Sequence, residues 1–158
     1  MSIDIMKCLS QLSQERYRVM IIHIDALHSD VLTQFAQKIC DKTGGKYLDL
    51  LETFIEQDEL NNNIDRFRPD NLKELLKERA KGFPLMVVDR MDFLLDTWHR
   101  HEKQAFWGLV EDQWDGFLSG MKPSLIFCMQ SSDEIERLSV LDSHGRSRIH
   151  QLSDFNDL

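Results

Sequence analysis

The chain has 158 residues, with 27 Asp+Glu against 19 Lys+Arg, a formal charge of −8 at pH 7. Apolar residues make up 42% and charged residues 29%, a composition that excludes a disordered or fibrous chain and suffices for one core without metal or disulfide staples. The acidity argues against a broad nucleic-acid platform, which needs a basic face to displace phosphate counterions.

Cys8, Cys40 and Cys128 are widely spaced and form no CxxC pair, so they read as reduced thiols rather than a disulfide framework. The first 18 residues lack the continuous apolar core of a signal peptide. The longest apolar runs, 19–22 and 85–88, fall far short of the roughly 20 residues that span a bilayer. A soluble, cytoplasmic protein with no membrane partner is expected.

Residues 1–17 carry Ile5, Cys8 or Leu9, and Leu12 at helical spacing, predicting a short amphipathic N-terminal helix. Residues 18–24 (RVMIIHI) are a β-branched run of strand length. A polar stretch follows, with Ser29 or Asp30 placed to cap a helix that carries Leu32, Phe35, Ala36, Ile39 and Cys40 and stops at Gly44-Gly45. Residues 46–50 predict a second strand and 51–60 a helix that three asparagines break. Pro69 starts another helix, with Leu72, Leu75, Leu76 and Ala80 on one face and Gly82 at its end. Residues 84–89 (PLMVVD) predict a third strand, 102–118 a long helix ending near Gly120, 124–130 a fourth strand, 133–141 a short helix and 148–152 a last strand.

Nearly continuous apolar strands alternating with helices belong to parallel sheets covered on both faces. The fold class predicted is therefore α/β, a three-layer sandwich with a mostly parallel five-stranded sheet. Residues 1–158 read as one domain, an N-terminal helix (1–17) followed by the core (18–152), without internal repeats.

The order of landmarks resembles a P-loop NTPase core of the AAA-like kind. Leu85-Met86-Val87-Val88-Asp89 matches the Walker B pattern of four apolar residues and Asp. Residues 125–129 followed by Gln130-Ser131-Ser132 resemble the sensor strand, and Arg146 and Arg148 lie where such proteins often place a trans-acting arginine. A narrower likeness is to the small stand-alone P-loop protein of BREX-type phage-defence systems. It implies a role in an antiviral or DNA-processing assembly, with nucleotide handled by other subunits.

The phosphate loop departs from that pattern. A working loop needs glycines whose N–H groups wrap phosphate, a Lys for the β/γ charges and Ser/Thr for Mg²⁺. Residues 24–31 (IDALHSDV) have no Gly or Lys and place Asp25 and Asp30 where phosphates would lie. The residue after Asp89, often a catalytic Glu in the family, is Arg90. Asp25, His28, Ser29, Asp30, Asp89 and Gln130 then form a vestigial nucleotide site, and no catalytic residue is assigned.

Other constellations carry less. Asp89, Asp92 and Asp96 follow the third strand, where carboxylates hold Mg²⁺ or cap the next helix, and capping is the simpler reading for Asp92 and Asp96. The six histidines show no zinc-type spacing, so no metal is predicted. No nucleophile elbow or PD…(D/E)xK spacing is present.

All three tryptophans, Trp98, Trp107 and Trp114, fall within 17 residues, and the apolar positions around them cover more than one helical face. Part of that surface is assigned to a partner, the rest to the core. Arg146 and Arg148 either reach a neighbour's carboxylate or phosphate, or pair with nearby acids.

The expected function is a non-catalytic, degenerate P-loop-like subunit with no cofactor. It associates with itself and with other proteins, and meets nucleic acid only through a complex or the Arg146/Arg148 patch. The alternatives are a divergent ATP-binding NTPase with Mg²⁺ and a nucleic-acid accessory protein.

Overall fold

Successive side chains of a strand point to opposite faces, so strands apolar at every position require cover on both sides. The computed structural model, which describes residues 2–116 and 123–156, meets that requirement with an α/β arrangement. Its elements in chain order are α1 (Ile5–Leu12), β1 (Val19–Ile24), α2 (Ser29–Thr43), β2 (Lys46–Asp49), α3 (Leu50–Glu56), α4 (Asp58–Asn62), α5 (Pro69–Arg79), β3 (Leu85–Asp89), α6 (Asp92–Thr97), α7 (Arg100–Gly108), β4 (Ser124–Gln130), α8 (Asp133–Arg137) and β5 (Ile149–Gln151). The five strands make one sheet in the order β2-β3-β4-β1-β5. Every pairing in it is parallel.

Handedness places the helices. The β1-to-β2 connection runs across the sheet in one direction, and every later connection runs in the other. Right-handed crossovers then put α2 on one face and the remaining crossover helices on the opposite face. The strands divide accordingly. Met20, Ile22, Leu85, Val87, Ile126 and Cys128 pack with α1 and α2. Val19, Ile21, Met86, Val88, Leu125 and Phe127 pack with α3, α5, α6, α7 and α8. α2 ends as its sequence requires, with Gly44 at φ 74° donating its N–H to the Cys40 carbonyl.

One predicted helix differs. The segment expected to run from 102 to 118 begins at Arg100, where Glu102 accepts the His99 N–H, and leaves α geometry at Gly108. A π turn follows over Leu109–Gln113. Its wider i→i+5 spacing rephases the side chains, so Leu109, Val110 and Trp114 join Phe106 in one core. Among the described residues the breadth read from α-helical spacing is gathered inward, apart from the partly buried Trp107. Phe117, Leu118 and Gly120, the predicted end of that helix, lie outside the described residues. α8 also ends early, at Arg137 rather than near 141. No described helix is long and apolar enough to cross a membrane.

Candidate functional site

The adjacent strands β1 and β4 send their chains to opposite faces, which opens a crevice at their carboxyl ends, the usual ligand position in parallel α/β sheets. A cleft of about 310 Å³ lies there, and Ser29, Asp30, Asp89 and Gln130 all line it. The fold thus brings together four of the six residues read as a vestigial nucleotide site. Asp25 and His28 stand outside the lining. Ala26–His28 is a single 3₁₀ turn, and the exposed His28 ring bonds the Asp25 carboxylate at 2.7 Å.

Asp89 ends β3 on the face that β3 turns to α2. It is 4% exposed, and its carboxylate is taken up by this chain's own donors. The Thr33 hydroxyl of α2 and the Tyr47 hydroxyl of β2 both donate to Oδ2 at 2.7 Å, and the Arg90 N–H donates to Oδ1 at 2.9 Å. Burial, and then the hydrogen bond to Asp89, push the Tyr47 phenol well above its usual value, so it stays a donor. Thr33 and Tyr47 were not singled out from the sequence. The available signal was one polar residue on an inward position of each element, Thr33 beside Leu32 and Tyr47 in register with Val87.

Arg90 takes the left-handed conformation, φ 56°, where non-glycine residues are uncommon and strained. It turns the chain sharply out of β3, and its Nε lies 3.5 Å from the Asp49 carboxylate. Asp92 accepts the Gln130 N–H at 2.9 Å, which ties α6 to the end of β4. Burial raises the Asp92 carboxyl above the ordinary carboxylate range, partly offset by that bond. The cleft therefore presents the carboxylates of Asp30, Asp89 and Asp92, with Arg90 facing an acid. It lacks the glycine backbone and lysine that would cradle phosphate.

The residues assigned to a partner interface are placed differently from expectation. Trp98 and Trp114 are buried, at 3% and 0% exposure, and their indole N–H groups donate to the Phe67 and Pro123 carbonyls. Only Trp107 remains partly exposed, bonded to Glu134. Arg148 is 5% exposed and reaches no surface. Its guanidinium donates to the carbonyls of Leu141, Tyr17, Val19, Val110 and Glu111 at 2.6–3.2 Å. The last two carbonyls belong to the π turn, so Arg148 caps a helical terminus whose acceptors lack intrahelical partners. Arg146 stays at the surface and pairs with Asp142 at 2.7 Å.

Glu15, Asp142 and His144 form a cluster that sequence spacing did not suggest, with ligand atoms within 4.8 Å of one another. Each carboxylate already has internal donors: Ser143 on Glu15, and Arg146 with the His144 N–H on Asp142. The cluster reads as a staple holding the loop before β5.

Two histidines, the buried His23 and the half-buried His150, give the fold a pH dependence. Burial lowers His23, which bonds the Ser131 hydroxyl at 2.7 Å, and it lowers His150 in the same way. The unfolded chain protonates them near about pH 6.5 while the fold resists, so the unfolded state binds more protons below that value. Stability is complete above about pH 6.5 and declines as pH falls through that window. Asp92 acts oppositely and at more acidic pH, because its raised carboxyl is relieved by protonation. Urea midpoints are expected to fall between about pH 7 and pH 5.5, and His23→Gln to flatten that slope.

Comparisons with family models, curated proteins and solved structures return no match for this chain.

Proposed function

We propose that this chain is a non-catalytic, degenerate P-loop-like domain that works as an assembly subunit, binding copies of itself and other proteins at the carboxyl edge of its sheet. The observation that carries the reading is the state of that edge. The carboxylate at the Walker B-like position is engaged by Thr33, Tyr47 and the Arg90 N–H, and Arg90 stands where a catalytic Glu is often found. The neighbouring order of β3, β4 and β1 supports the resemblance, because it brings Ser29 and Asp30, Asp89 and Gln130 to one cleft, though not Arg146 or Arg148. The small BREX protein's likeness suggests a phage-defence or DNA-processing complex as the setting.

The same edge offers apolar side chains to a partner. Leu27 is 89% exposed, Ile55 64% and Val31 44%, and they alternate along the chain with Asp25, Asp30, Glu52 and Glu56. Glu52 and Glu56 lie close enough for Glu56 to raise the Glu52 carboxyl, first by a shared hydrogen bond and then by charge. Acidic residues interspersed with exposed apolar ones suit a surface carrying arginine, and Arg146 supplies one on the same chain.

Sedimentation over rising concentration is expected to show self-association. Leu27→Glu with Ile55→Glu removes it while leaving folding stability within about 0.5 kcal/mol, as exposed positions allow. A chain that stays monomeric at high concentration overturns the self-assembly reading. Millimolar ATP with Mg²⁺ is expected to leave the melting temperature unchanged, and a clear rise would favour a nucleotide-binding domain instead.

A further inference from the structure

The net charge of the chain is concentrated on one edge. The segments that leave the carboxyl ends of β1, β2, β3 and β4 (25–31, 49–56, 89–96 and 130–134) hold ten Asp or Glu and one basic residue, Arg90. Taken from 27 acids and 19 bases, that leaves 17 against 18 elsewhere, so this edge carries the whole surplus. Buried groups do not account for it. With the engaged Asp89 and the Asp49–Arg90 pair set aside, eight acids remain, of which Asp25, Asp30, Glu52, Glu56, Asp96 and Asp133 are exposed.

The same edge is apolar. Leu51 lines the carboxyl-edge cleft with Leu32, Phe93 and Met129, beside Asp30 and Asp92. Ile55, 64% exposed, stands one helical turn beyond Leu51 on α3, while Val31 follows Asp30 on α2 and the exposed Leu27 precedes it. Exposed apolar groups grouped at a cleft mark a contact surface, and a field of one sign decides which partner fits it. Glu56 raises the Glu52 carboxyl, first through a shared hydrogen bond and then by charge, and a cation beside both favours their charged forms. An acidic amphipathic helix would meet like charge here, and a polyamine would leave Leu27 and Ile55 in water. In a second copy, α5 carries the most Lys and Arg of the described helices. It answers them with Asp70, Glu74 and Glu78, and buries Leu72 and Leu76 in its own core.

We infer that the carboxyl edge docks a Lys/Arg-rich amphipathic helix of another protein, an inference that rests on the assembly role and specifies the partner's chemistry. The apolar face of that helix covers Leu27, Leu51 and Ile55, and its cations face Asp30, Glu52 and Glu56.

Fluorescence anisotropy with a labelled leucine/lysine peptide of about 18 residues, its leucines at i, i+3 and i+4 spacing, tests this. Saturable one-to-one binding is expected. A scrambled peptide of the same composition and a leucine/glutamate counterpart are expected to bind at least about tenfold more weakly. Glu52→Lys with Glu56→Lys is expected to raise the Kd about tenfold. The matched reversal Glu74→Lys with Glu78→Lys, also at exposed helix positions, is expected to change it less than about twofold. Glu52→Gln with Glu56→Gln gives a milder form of the test should the reversal disturb α3. Ile55→Ser is expected to weaken binding several-fold, and spermidine to displace little peptide. Absence of peptide binding overturns the docking surface. Equal weakening by the two reversals, equal binding of the scrambled peptide or full displacement by spermidine also overturns it, since each leaves only general charge attraction. Peptide binding by a chain that sediments as a monomer removes self-assembly and leaves this surface standing, and self-association without peptide binding does the reverse.

Discussion

Replacing Arg148 with methionine is expected to lower folding stability by about 3–5 kcal/mol, the range for removing one partner from a buried charged network. The guanidinium bridges three regions at once. It joins the chain before and within β1 (Tyr17, Val19), the π turn after α7 (Val110, Glu111) and the loop before β5 (Leu141). Methionine matches the stem but leaves carbonyls buried without a donor, each costing about 1–3 kcal/mol where no water replaces it. Arg148→Lys is expected to recover only part of the loss, because a point charge with three donors cannot span the planar fork's acceptors. Arg146→Met, at the surface and paired only with Asp142, is expected to cost about 0–1 kcal/mol. Urea denaturation decides it. Similar midpoints for the Arg148 and Arg146 variants would overturn the structural role of Arg148.

Asp89→Ala is expected to cost about 2–4 kcal/mol, since it leaves the Thr33 and Tyr47 hydroxyls and the Arg90 N–H without their acceptor. Asp89→Asn is the finer test. Its amide oxygen can still accept from both hydroxyls, while its NH₂ group then opposes the Arg90 N–H, so the expected cost falls to about 1–2 kcal/mol. A double-mutant cycle with Tyr47→Phe is expected to show coupling of at least about 0.5 kcal/mol, as for groups in direct contact. If Asp89 served only a bound metal, Asp89→Asn would leave the metal-free protein's stability unchanged, and that outcome removes the account of Asp89 as a structural acceptor. Any stability change is read without nucleotide, so it stands apart from the ATP titration.

Much of the fold was legible because its signals are local. The runs 19–24 and 85–89 are apolar at nearly every position and can only be central strands. The Gly44 stop of α2 needs nothing beyond a residue tolerant of positive φ. The long helix was misjudged where the π turn changes the period, because α-helical spacing cannot anticipate an i→i+5 turn. The candidate site was half legible. Asp89 and Gln130 could be placed from strand ends, and the missing glycine and lysine after β1 are facts of composition. Thr33 and Tyr47 could not be assigned, since their role depends on α2 crossing over β2 and β3.

The sequence by itself determined a covered parallel sheet, its approximate strands and a loop after β1 unsuited to cradling phosphate. Those properties follow from residue type and spacing within a single element. Only the tertiary structure decided which polar and aromatic groups are buried. Trp98 became core and Arg148 became an internal clamp because their partners lie far off in sequence, and Trp114 joined the core through the π turn before it. Arg148 reaches the Tyr17 carbonyl across 131 residues, and no local pattern records a carbonyl left open at that distance.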